Sequence, residues 1–127
     1  MAVGLARLKA RADFLRVAAS RRSAARPGLV LQAAPAPPTV QPGPSVRVGF
    51  TASRKVGNAV ARNRAKRRLR AAAAAVLARQ GVPGTDYVLI ARSGTGARLY
   101  ARLVADLEGA LRQIARSARR EEITNAG

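Results

Sequence analysis

Phe14, Val17 and Ala18 stand at i, i+3 and i+4, the spacing of one helical stripe, and predict a short amphipathic helix over residues 9–20. A basic stretch, RRSAARPG (21–28), follows and reads as a turn-like linker; the apolar run LVLQAA (29–34) then predicts a strand. Residues 35–44, within APAPPTVQPGP, are too rich in proline for either element and predict an extended, mobile connecting loop. From 46 to 53 the pattern VRVGFTAS alternates, with Val46, Val48, Phe50 and Ala52 on one face and Arg47, Gly49, Thr51 and Ser53 on the other. This is the pattern of a half-buried strand. Its second face is small, hydroxylic and basic, suited equally to a sugar-phosphate chain and to plain solvation.

Asn58 is a favoured N-cap after Gly57, and a helix is expected from there to about Gln80, stopped by Gly81 and Pro83. At about 100° per residue, Ala61, Ala65, Leu69, Ala72 and Val76 share one narrow sector that must face the core. YVLIA (87–91) predicts a buried strand, and Leu103, Leu107, Leu111 and Ile114 mark the core stripe of a last helix. The remaining residues, 117–127, are expected to fray. The elements describe one domain with its core over about 7–116, a size at which a second core would need more chain.

Charge changes this picture from a fold to a binding surface. The 24 basic residues outnumber 6 acidic ones, a formal net charge of +18, which would repel itself in a compact state without a polyanionic partner. No acid occurs between Asp13 and Asp86, and on the long helix Arg62, Lys66 and Arg70 form one flank, Arg67 points away from the core, and Arg64 and Arg68 form the other flank. Like charges at i and i+4 cost a few tenths of a kcal/mol per pair, so a bound polyanion is the natural offset. Without cysteine or histidine, zinc ligation, thiol nucleophiles and imidazole bases are excluded. The six acids are scattered along the sequence, a poor kit for metal-assisted hydrolysis. No apolar run is long enough for a membrane span or a secretory signal, which makes the cytoplasm the expected location.

The run RVGFTASRKVGNAVARNRAKRRLR (47–70) closely resembles the signature of the bacterial ribonuclease P protein subunit family, centred on Arg62-Asn63-Arg64 with Lys66 and Arg67 following. The order of the surrounding elements is similar over nearly the whole chain. The resemblance implies an α/β (α+β) single-domain α-β-β-β-α-β-α sandwich with a left-handed β-α-β crossover, of the ribosomal-protein-S5-domain-2-like type. Only three of its strands are read from the residues themselves.

The resemblance also implies two surfaces and a division of labour. Arg62, Asn63, Arg64, Arg67, Arg68 and Arg70 would meet the catalytic RNA subunit as phosphate and ribose contacts. A cleft between the first helix and the sheet would hold the single-stranded 5′ leader of precursor tRNA, and onto it map Phe14, Ala18, Val30, Gln32, Thr51, Ser53, Arg54, Lys55, Arg62 and Lys66. For Phe14 and Val17 ordinary core packing is the competing reading. The RNA, with Mg²⁺ bound mainly by RNA and substrate, would perform the hydrolysis, no side chain of this protein being catalytic or metal-ligating. The protein would be monomeric in the holoenzyme. Ala18 and Gln32 depart from the family, many of whose members carry Phe and Tyr there. The rival readings are a ribosomal protein or general RNA chaperone, a DNA-binding basic helix and a membrane-surface helix; the last two lack the dimeriser and the apolar bulk they need.

Overall fold

The computed structural model describes residues 5–38 and 46–126. Among these residues the elements in chain order are β1 (Leu5–Arg7), α1 (Arg11–Ala19), β2 (Arg22–Arg26), β3 (Leu29–Pro35), β4 (Val46–Thr51), a 3-10 turn (Arg54–Val56), α2 (Ala59–Gln80), β5 (Thr85–Ala91) and α3 (Tyr100–Ala126). The strands form a single sheet in the order β1-β4-β5-β3-β2, with β1, β4 and β5 parallel to one another and β3 antiparallel to both β5 and β2. Most of the proline-rich loop expected over 35–44 lies outside the described residues, although Pro35 closes β3.

Period-two alternation decides what each face of the sheet meets. Leu29, Leu31, Ala33, Val46, Val48, Tyr87 and Leu89 are buried on one face against α2 and α3. The other face carries Ala34 and Val88, which pack with Leu8, Val17, Phe14 and Ile90 beneath α1. The α2 seam is Ala65, Leu69, Ala72, Ala73, Val76 and Leu77, with Ala61 only half-buried at its start. Asn58 caps this helix by accepting from the Ala61 N–H at 2.9 Å, and Gly57 takes φ of 140°, a backbone conformation that favours glycine.

Two expectations need correction, and one strand was not foreseen. Residues 22–26 of the basic stretch are not a linker but β2, whose only buried residue is Ala24. Its place is fixed from outside the strand: Arg26 donates to the Gly109 carbonyl and to Gln113 Oε1, both at 3.0 Å, and Arg22 pairs with Glu121 at 3.2 Å. β1 gave no signal at all, since three exposed residues have no burial pattern to read. The segment beyond 117 does not fray; α3 continues to Ala126, and the Arg22–Glu121 pair ties its last turns to β2.

Candidate nucleic-acid interface

On the α1 face of the sheet, Val30 lies opposite Ile90 and Gln32 opposite Val88 in the β3–β5 register, while Gly49 and Thr51 of β4 flank the same two β5 residues. α1 covers only part of this surface. The remainder is an open cleft of about 450 Å³ lined by Lys9, Arg11, Phe14, Leu15, Ala18, Gln32, Phe50, Thr51, Val88 and Ile90. Its floor is apolar and its rim is basic and hydroxylic, the combination that lets bases stack while phosphates meet charge.

Four of the expected cleft residues, Phe14, Ala18, Gln32 and Thr51, line this cleft. Val30 shares the face beside Ile90. Ser53, Arg54 and Lys55 are exposed in the connection from β4 to α2, and Arg62 and Lys66 are half-buried on α2, outside the cleft wall. Sequence reasoning missed Lys9, Arg11, Leu15, Phe50, Val88 and Ile90 as cleft residues. Alternation within YVLIA could have found Val88 and Ile90, because they share a face that excludes Tyr87 and Leu89. Val17 is fully buried and is core, whereas Phe14 is half-buried and belongs to both core and cleft.

Gly49 allows Phe14 to lie on the strand. A Cβ there would come within 2.6 Å of the Phe14 ring and 3.1 Å of Leu8 Cβ. Gly49→Ala is therefore expected to push the Phe14 ring off the sheet at a cost of about 1–3 kcal/mol. Chemical denaturation measures that cost; a stability equal to the parent would mean that the ring does not rest there.

The flank of α1 turned away from the cleft is held by charge. Asp13 and Arg16 of α1 close a ring with Arg47 of β4 and Asp86 of β5. Arg16 contacts Asp13 at 3.2 Å and also pairs with Asp86, while Arg47 lies 3.1 Å from Asp13 and 3.0 Å from Asp86. Asp86 is fully buried, whereas both arginines reach solvent in part. Burial alone would lower the Arg16 pKa, but hydrogen bonds to Asp86 and Asp13 outweigh it and hold the guanidinium above its ordinary value. A further bond from Arg16 to the Pro35 carbonyl, 2.9 Å, ties α1 to the end of β3.

On α2, Asn63, Arg64, Arg67 and Arg70 are exposed, and Arg62 is half-buried. Arg70 stands over the Phe50 ring at 5.8 Å from its centroid, which orients its guanidinium along the sheet side of the helix. Arg68 differs from the others. It donates to the Thr95 carbonyl at 3.2 Å and to the Arg98 carbonyl, so two of its five N–H donors hold the loop after β5.

Residues 4–115 match a family model described as Ribonuclease P. A protein of Paramagnetospirillum magneticum described as a ribonuclease P protein component is 57% identical over 114 residues, covering 90% of this chain and 86% of the relative. One from Ruegeria pomeroyi with the same description is 51% identical, covering 87% of each chain. Among solved structures, the Staphylococcus aureus RNase P protein superposes with a TM-score of 0.67 at 27% identity over 84% of this chain and 92% of that one. The Thermotoga maritima RNase P protein gives 0.65 at 24% identity over 83% and 94%, a likeness of fold.

Proposed function

Because the chain belongs to the ribonuclease P protein family, and so is a protein component of a tRNA-processing ribonucleoprotein, we propose that it works by holding two RNAs on two faces of one sheet. The α2 surface of Arg62, Asn63, Arg64, Arg67 and Arg70 binds the catalytic RNA subunit through phosphates and riboses. The cleft beneath α1 binds the single-stranded 5′ leader of precursor tRNA, with Phe14, Val88 and Ile90 beneath the bases and Lys9, Arg11 and Thr51 along the backbone. Ser53, Arg54, Lys55 and Lys66 lead from the cleft toward α2 and extend the path for the same strand. The observation that carries this reading is the cleft itself: an apolar floor with a cationic rim is more than a general RNA chaperone requires.

Hydrolysis belongs to the RNA partner. Among the described residues no three acidic side chains come together to hold a metal ion. We therefore assign Mg²⁺ to the RNA subunit and the substrate phosphates, and to this chain the positioning of the leader against them. No helix among the described residues is long and apolar enough to cross a membrane. The protein acts as one copy per RNA subunit in the cytoplasm.

Adding the protein to a cognate RNA subunit at low Mg²⁺ is expected to stimulate cleavage of precursor tRNA. Intact RNA binding without stimulation would favour the chaperone reading instead. Within the reconstituted complex, Arg67→Ala is expected to weaken RNA-subunit affinity and lower the salt slope of binding by about 0.7 to 0.9, the value for one lost phosphate contact. Filter binding across a salt series measures both. Equal affinity at every salt concentration would remove Arg67 from the interface.

A further inference from the structure

The outward face of α3 carries a charge pattern that neither the cleft nor α2 uses. With Leu103, Leu107 and Ile114 facing the core, a period of about 100° per residue turns Arg112, Arg116 and Arg119 directly outward and places Arg102 and Arg120 beside them. All five are exposed, and Ala105 lies exposed in the same sector, whereas Gly109 is buried beneath Arg26. Of the acids of this helix, Asp106 pairs with Arg98 and Glu121 with Arg22 at 3.2 Å, both off this sector; Glu108, at its edge one turn before Arg112, accepts from Gln80 at 2.9 Å, and Glu122 is exposed on the flank. Among the described residues, none of the five arginines makes an ion pair or a side-chain hydrogen bond, unlike Arg16, Arg26, Arg47, Arg68 and Arg98. The i, i+3 and i, i+4 spacing puts like charges side by side, which disfavours the helix unless a polyanion neutralises them.

The position of this stripe identifies its partner. Tyr100 Oη donates to the Ala71 carbonyl at 3.3 Å and Gln80 bonds Glu108, so α3 starts beside the middle of α2 and runs on past its C-terminal end. Arg112 to Arg120 thus lie at the opposite end of the helical layer from Arg62 to Arg67. Both basic surfaces stand on the side of the sheet away from α1 and the leader cleft. From Arg102 to Arg120 the stripe is about 27 Å long at 1.5 Å per residue, enough to follow several consecutive phosphates. Its arginine forks match phosphate oxygens, while Ala105 and, just beyond Arg120, the single exposed Ile123 are too little apolar bulk for a membrane.

We propose that the outward arginine stripe of α3 is a second docking surface for the sugar-phosphate backbone of the catalytic RNA subunit, engaged together with the α2 surface so that one RNA is held at both ends of the helical layer. The proposal rests on the reading of this chain as the RNA subunit's partner. A combined Arg112→Ala, Arg116→Ala, Arg119→Ala variant is expected to raise the Kd for the RNA subunit at least tenfold at low salt and to reduce the salt slope by about two units. The ratio of precursor to mature tRNA affinity in the complex should stay at the parent value. The corresponding triple Arg→Lys variant, which keeps the charge, should retain most of the slope and controls for folding.

An unchanged Kd and slope in the triple variant, with Arg67→Ala still weakening RNA binding, would overturn the stripe and leave the general reading intact. A loss confined to precursor discrimination would overturn it too, by assigning the stripe to the substrate. Because the chain has no cysteine, an iron chelate tethered at Arg116→Cys can map the contact directly. Expected are cuts in the RNA subunit at nucleotides apart from those cut by a chelate at Asn63→Cys; cuts in the tRNA alone, or none, contradict the proposal.

Discussion

Asp86→Asn is expected to cost about 3 kcal/mol of stability and, in the folded protein, to weaken the preference for precursor over mature tRNA. The amide keeps the shape of the carboxylate and removes its charge, leaving Arg16 and Arg47 to share Asp13 as their remaining carboxylate. Breaking a buried ion pair from one side costs about 3–5 kcal/mol; the lower end applies because both arginines reach solvent and can recover part of their hydration. For a domain of this size that is a fall of about 10 °C in Tm.

The functional part follows from where the ring stands. It joins the rear flank of α1 to β4 and β5, so it sets how α1 overhangs the cleft, while Val17, Phe14 and Leu8 supply the packing that keeps α1 attached. A purely structural role would lower Tm without altering discrimination, measured well below the new Tm. That result would separate the ring from leader binding. RNA-subunit affinity should stay near the parent value in either case, because the α2 surface packs on the other face of the sheet.

The sequence exposed most clearly those parts in which burial is periodic. The β4 alternation, the α2 seam from Ala65 to Val76 and the α3 stripe from Leu103 to Ile114 all appear in the structure as expected, because each buries one face against a partner layer. β2 escaped because an edge strand that buries only Ala24 has the composition of a linker. The end of α3 escaped for a related reason: beyond Ile114 its residues are mostly exposed, and its tether Arg22–Glu121 joins residues 99 positions apart.

The site divides along the same line. Phe14, Ala18, Gln32 and Thr51 could be placed by strand parity and by the family pattern. Arg68 could not be distinguished from its neighbours on a helical projection, since its partners are carbonyls of a loop 27 and 30 residues away. The ring of Asp13, Arg16, Arg47 and Asp86 was invisible for the same reason, although the scarcity of acids hinted at it. In a chain with so few carboxylates, the two nearest the cleft are both held by arginine.

Ala18→Phe is expected to raise affinity for a precursor with a single-stranded leader about tenfold without changing the salt slope. Ala18 is exposed on the cleft flank of α1, beside Phe14 and across from Gln32, and the cleft has room for a ring. An aromatic there gives a leader base a stacking surface worth roughly 1 to 3 kcal/mol, against a helix-propensity loss of about half a kcal/mol. Stacking releases no counterions, whereas the proposed contacts of Lys9 and Arg11 with phosphates would, so the two contributions are expected to separate in a salt titration. The parent should lose affinity steeply with salt, the variant should run parallel and tighter, and Arg11→Ala should be flatter and weaker. Mature tRNA, which lacks the leader, should bind the parent and Ala18→Phe alike. A gain that vanished at high salt, or that extended equally to mature tRNA, would show that the ring had acted elsewhere than on leader bases in the cleft.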